Sequence, residues 1–299
     1  MRRILAALLI LLMALPVARG ESAAQLPAEM YLYEQPRPIF HQDTAEIMSL
    51  FGEGDKAGAY DLILEKHNAL NRKYPFEEWD GALCYTSPEE LALYRALRPD
   101  ERLSQTYNDY PALLYCLGFL LVDDQRYEDA RACLEVTWEM NPVSMAVAVE
   151  LTSCYLAQGD LASARALLEE ARPLCLLPCD YGWYYRRLGY ILCEEGDYSL
   201  AKSCQLYSLI FEESENAYGE LTFLDATMGL EPFDYRRRGA GRDRLTEEAV
   251  FAVEDGGLKI RPGEAQMAVL AELDDQLGSS KYNVYGSAMT FFRALDAEG

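Results

Sequence analysis

Histidine is scarce in this 299-residue chain: His41 and His67 are the only two. That scarcity removes most nucleophile–base and metal-hydrolase arrangements, which draw on imidazole as base or ligand. No Gly-x-Ser-x-Gly, no His-Glu-x-x-His and no phosphate loop occurs. Gly52 and Gly54 are followed by Gly58, which breaks the dinucleotide spacing, and they sit in a helix–turn–helix rather than after a strand. His67 lies beside Glu65 and Lys66 and reads as a solvated surface residue, with no Ser or Cys nearby to complete a nucleophile. Basic residues are also few. There are 27 Lys and Arg against 49 Asp and Glu, a net charge of -22 and a pI near 4.5. Such a chain repels nucleic acid and anionic lipid and suits solubility and cationic partners. Beyond the first residues no apolar run is long enough to cross a bilayer, so no stable membrane span is expected. No cofactor, metal or catalytic residue is assigned.

What is present begins at the N-terminus. Arg2 and Arg3 precede the uncharged apolar run Ile4 to Leu15, which ends at Pro16 and is followed by small residues at Ala18 and Gly20, then Ser22 and Ala24. This is the layout of a cleavable secretory signal over residues 1–20, with cleavage after Gly20 or Ala24, and it predicts an exported protein, periplasmic or secreted. Loss of the leader makes the rest more acidic still. Eight cysteines follow it, from Cys84 to Cys204. An even count in an exported chain permits disulfides, while their placement inside apolar helical stretches equally suits small core residues. Cys175 and Cys179 flank Pro178, but zinc would need two further ligands and neither histidine is near.

Internal periodicity organises the middle of the chain. Gly54-Asp55, Gly159-Asp160 and Gly196-Asp197 each separate two amphipathic stretches, and Asp124-Gln125-Arg126 takes a similar place without glycine. An alanine follows each turn at the same offset, at Ala59, Ala130, Ala164 and Ala201. Units opening at Pro111, Met145 and Gly182 align Leu117, Leu151 and Leu188, then Gly118, Thr152 and Gly189, then Ala130, Ala164 and Ala201, then Leu134, Leu168 and Gln205. In these residues the chain resembles the tetratricopeptide repeat family, whose units run to about 34 residues. Thr152 and Gln205 depart from the pattern, and extra residues near Pro173 to Cys179 lengthen one step. Small residues where the helices cross let them approach, and large apolar ones fill the space between.

The resemblance implies an all-α fold of stacked antiparallel hairpins. The expected layout is an N-terminal helical region with a degenerate repeat over 30–108, a repeat array with a capping helix over 109–229, an exposed Arg-rich linker over 230–247, and a small C-terminal region over 248–299. Within that last region Ala249 to Ile260 reads as a short β-hairpin around Gly256-Gly257 or a frayed helix. In this family the first helix of each unit lines a concave face. Carried onto this sequence, that face comprises Tyr115, Phe119, Asp123, Val149, Ser153, Leu156, Trp183, Arg186, Tyr190 and Glu194. Aromatic residues and Arg are the types that dominate protein-binding hot spots. The implied function is a scaffold for a protein or peptide partner, without catalysis. The alternative is a carbohydrate-active or envelope-modifying enzyme using a carboxylate pair such as Glu194-Glu195 or Asp274-Asp275. The Arg cluster has two readings: a phosphate or acidic-partner site, or a strip that folds back on the protein's own acidic surface.

Overall fold

The computed structural model describes residues 42–73, 83–85, 87–98, 110–277 and 284–297. The expected secretory leader over residues 1–20 lies outside the described residues. The chain divides between Asp160 and Leu161 into two compact units. Among the described residues there are thirteen α-helices and no extended strand.

The unit over 36–160 contains α1 (Gln42–Gly52), α2 (Lys56–Lys73), α3 (Pro88–Leu97), α4 (Tyr110–Asp123), α5 (Tyr127–Met140) and α6 (Met145–Ala157). The expected degenerate repeat is the α1–α2 hairpin. Its Ile47, Ala59 and Ile63 bury against Leu113, Cys116 and Leu120 of α4. Between α4 and α5 the helices nearly touch: a Cβ on Gly118 would lie 2.5 Å from Leu134 Cδ2, and Ala130 is fully buried. The shorter α3 is fixed at both ends of its first turn. Ser87 accepts from the Glu90 amide at 3.2 Å, and the buried Glu90 carboxylate accepts from Asn141 Nδ2 at 2.8 Å.

The second unit, over 161–299, contains α7 (Leu161–Ala171), a 3₁₀ turn (Arg172–Leu174), α8 (Pro178–Glu195), α9 (Tyr198–Phe211), α10 (Glu215–Met228), α11 (Ala240–Asp255), α12 (Glu264–Leu277) and α13 (Tyr285–Ala297). The Asp180 carboxylate accepts from the Leu176 and Leu177 amides at 2.9 and 2.8 Å and so opens α8. Gly189 on α8 lets α9 close in, where an added Cβ would meet Gln205 Nε2 at 2.9 Å and the Ala201 carbonyl at 3.1 Å. The departure at Gln205 has a purpose here: its amide donates to the Arg186 carbonyl at 3.0 Å across the helix pair. The C-terminal segment joins the same core. Tyr185 donates its hydroxyl to the Leu258 carbonyl and accepts from the Ile260 amide at 2.7 Å, while Phe292 meets Tyr181 edge-on at 5.1 Å.

One turn closes the helices of both units. In each case the residue in the left-handed conformation donates three residues back and the next amide donates five back, the Schellman pattern. It recurs at Gly54, Gly159, Gly196 and Gly229, and at Gln125, whose φ is 61°. At Gly257 the bonds are Gly257 to Glu254 and Leu258 to Val253. Of the two readings of Ala249 to Ile260, a short β-hairpin or a helix, the structure has the helix, up to Asp255. Gly257 stops α11, with Ala249 and Val253 on its buried face one turn apart. Within the expected linker over 230–247, α11 opens at Ala240 and Arg242 is buried. Burial pushes the thiols of Cys116, Cys133 and Cys204 up to about 12.

Two substitutions test this packing. Gln125→Gly removes the left-handed penalty of an L-residue and should raise stability by about 0.5–1 kcal/mol. Gly118→Val should lower it by about 1–3 kcal/mol through the clash with Leu134. Urea midpoints of the two variants against the parent chain check both signs.

Candidate functional site

The ten residues expected on a concave face fall in both units, on α4, α6 and α8. In the unit over 36–160 they lie on α4 and α6. Tyr115, Phe119 and Asp123 follow at four-residue spacing and so share one stripe of α4. Phe119 meets Phe51 of α1 edge-on at 5.2 Å, with the Tyr115 ring at 6.4 Å. Tyr115 also packs on the α1–α2 core. Asp123 pairs with Lys56, which holds Asp124 at 2.7 Å as well, and Tyr60 donates to Asp124 at 2.9 Å. The two carboxylates push the Lys56 ammonium up to about 12. These three residues are thus engaged by the preceding hairpin. On α6, Ser153 and Leu156 are buried, the Ser153 hydroxyl donates to the Val149 carbonyl at 3.1 Å, and Val149 is half-buried.

In the unit over 161–299 the candidates sit on α8, and here they gather into a mixed face. Trp183, Tyr190 and Glu194 are half-buried. Arg186 turns towards α9 and pairs with Glu212 at 2.6 Å, with only 15% of its side chain exposed. Its neighbour Arg187 takes the outward place, stacked on the Trp183 ring at 5.4 Å. Glu220, on α10, faces the same cluster. Burial raises its carboxyl to about 7, Arg187 opposes that rise, and Glu194 adds to it. Burial also pushes the Tyr190 phenol up, with Glu194 and Glu220 adding to the effect.

Sequence reasoning missed Arg187 and Glu220. The first carries a signal, since it stands four residues after Trp183 on the same stripe. Glu220 lies on the helix expected only as a cap, so nothing marked its carboxyl out from the many others. Of the acidic pairs considered for an enzyme, one member of each has a close neighbour. Glu195 is taken by Arg165 at 2.5 Å, and Asp274 lies against Gly286. His67, expected in solvent, sets its ring against Tyr110 at 5.8 Å. Among the described residues no group of three or more His, Cys, Asp or Glu side chains is placed to hold a metal. None of their helices is long and apolar enough to cross a membrane.

The family model for the tetratricopeptide repeat matches residues 121–174. No curated protein and no solved structure matches the chain. The matched segment runs from the last turn of α4 through α5, α6 and α7 to the 3₁₀ turn. It contains the turns at Gln125 and Gly159 and the alanines Ala130 and Ala164 that follow them. Over residues 121–174 the chain is thus similar to the tetratricopeptide repeat, a unit that suggests a scaffold for protein–protein interaction.

Proposed function

We propose that the protein is an exported scaffold that holds a peptide segment of a partner protein on the α8–α10 face, without catalysis of its own. The observation that carries this reading is the cluster of Trp183, Arg187, Tyr190, Glu194 and Glu220. It combines two broad aromatic side chains with both signs of charge in a half-buried setting. Such a surface gains from desolvating flat rings and offers hydrogen bonds to a peptide backbone. Export is supported by the basic start, apolar run and small residues of the first 20 positions. A second reading, acid–base chemistry on a glycan, is favoured by one feature alone: a carboxyl that titrates near 7 beside Glu194.

Two measurements test the reading. Trp183, Arg187 and Tyr190 changed together to Ala should abolish capture of partner proteins from the envelope and secreted fractions, with the circular dichroism spectrum kept. Capture that persists in the triple variant sinks the assignment of this face. The second measurement concerns Glu220. The folded carboxyl keeps its proton to about pH 7, whereas the unfolded chain releases it near the ordinary value of 4.5. Stability from this group is therefore full below the unfolded value and is lost as pH rises through about 7. Glu220→Gln should remove that slope, leaving the variant more stable than the parent at about pH 8 by up to about 2 kcal/mol, once the half-exposed side chain is allowed for. Urea unfolding of both proteins at about pH 5 and about pH 8 decides it; parallel changes in the two would dismiss a neutral Glu220.

A further inference from the structure

In the unit over 161–299 the chain's own cations take up many of its acids. The Arg-rich segment folds back on them: Arg236 pairs with Glu215 at 2.5 Å, and Arg238 and Arg242 share Glu213 at 2.6 and 2.8 Å. Arg165 holds Glu195, Arg186 holds Glu212 and Lys202 holds Asp225. On the α8–α10 face the pattern breaks. Glu194 and Glu220 are half-buried, yet neither has an ion pair or a hydrogen bond among the described residues. The two lie together. Glu194 acts on the Glu220 carboxyl from the neighbouring helix, and both act on the Tyr190 phenol. Burial, then Glu220 and Glu194, push the Cys193 thiol up to about 11.

The face is graded along α8. Trp183, Arg187, Tyr190 and Glu194 follow at steps of four, three and four residues, a single stripe of about 16 Å. Its basic end is Arg187, stacked on the Trp183 ring at 5.4 Å. Its acidic end, beyond Tyr190, is Glu194 with Glu220 beside it. Glu194 lies in the last turn of α8, which holds no basic residue, and the helix dipole adds partial negative charge there. A half-buried carboxylate without a partner is costly, and a cation seated against it recovers that cost. The excess of 49 acids over 27 bases in the whole chain attracts cationic segments in the same sense.

Resting on the reading of this face as a peptide site, we propose that the bound segment presents a lysine or arginine side chain to it, the charged head between Glu194 and Glu220 and the aliphatic stem along the Tyr190 ring. Long cationic side chains divide in this way between apolar and charged surroundings. The same two carboxylates repel a segment with an acidic residue in that place, so they set specificity as well as affinity.

A random dodecapeptide library, displayed on phage and selected on the full chain, is the probe. The selected peptides should share a lysine or arginine at one position and should lose binding to the Trp183, Arg187, Tyr190 triple alanine variant. In one such peptide, changing that base to methionine should weaken binding to the parent by about tenfold, the loss of one charge-assisted contact. The same change should have no effect on binding to the variant carrying Glu194→Gln and Glu220→Gln together, its fold checked by circular dichroism. Glu195→Gln removes a carboxylate already held by Arg165, and should leave the preference for the base intact. Peptides that need the face but share no base, or a base whose removal costs as much in the double variant as in the parent, would overturn the proposal and leave the peptide site standing. No selected peptide sensitive to the triple variant would bring down the peptide site itself, and the proposal with it.

Discussion

Close approach of paired helices is the constraint on which both units rest. Where α4 meets α5, Gly118 leaves room for Leu134 and nothing more; where α8 meets α9, Gly189 does the same for Gln205 and the Ala201 carbonyl. A side chain at either glycine would push the helices apart and open the layer of Leu, Ala and Tyr behind them. The left-handed turn is the second half of this device. It reverses the chain within two residues while satisfying the last carbonyls of the helix it ends, so the next helix starts close to the previous one. That Gln125 adopts the same turn as five glycines shows that tertiary packing sets the geometry. Glycine is the economical choice for it, not the cause.

The parts of the fold governed by these two local rules were legible from residues alone. The turns at Gly54, Gly159 and Gly196, the alanines after them and the small residues at Gly118 and Gly189 all act over short sequence distances. The C-terminal third was less readable because its contacts are long-range. Nothing near Tyr185 in sequence indicates that its hydroxyl will bridge Leu258 and Ile260, or that Tyr181 will meet Phe292. The pair Gly256-Gly257 illustrates the ambiguity well. Two glycines between apolar runs signal a hairpin in an all-β context, yet here Val253 and Ala249 supply a helical stripe and Gly257 ends it.

The candidate face was legible in type and less so in membership. The family register selects one stripe of α8, but a register gives a position on a helix and not a side-chain direction. Arg186 finds Glu212 and leaves the face, and Arg187 fills its place over Trp183. On α4 the same register selected Phe119 and Asp123, and the preceding hairpin uses both for its own attachment, through Phe51 and Lys56. Identical positions in successive units thus differ in what they leave to a ligand, according to what the neighbouring helix already takes.

Charge placement follows from the acidic excess. With nearly twice as many acids as bases, every Lys or Arg has several carboxylates to choose from, so most cations are consumed in pairs: Lys56 by Asp123 and Asp124, Lys202 by Asp225, Arg165 by Glu195. A cation that stays unpaired in such a chain is held away from carboxylates by its surroundings. Arg237, exposed and with no carboxylate partner among the described residues, is a case of this kind. The complementary case is Glu220, a carboxyl in a chain full of them, which burial and Glu194 drive towards neutrality while Arg187 only partly compensates. Against a background of satisfied ion pairs, these exceptions are where the free energy of binding a charged group is greatest, because the cost of desolvating the protein's own group is already met in the folded chain.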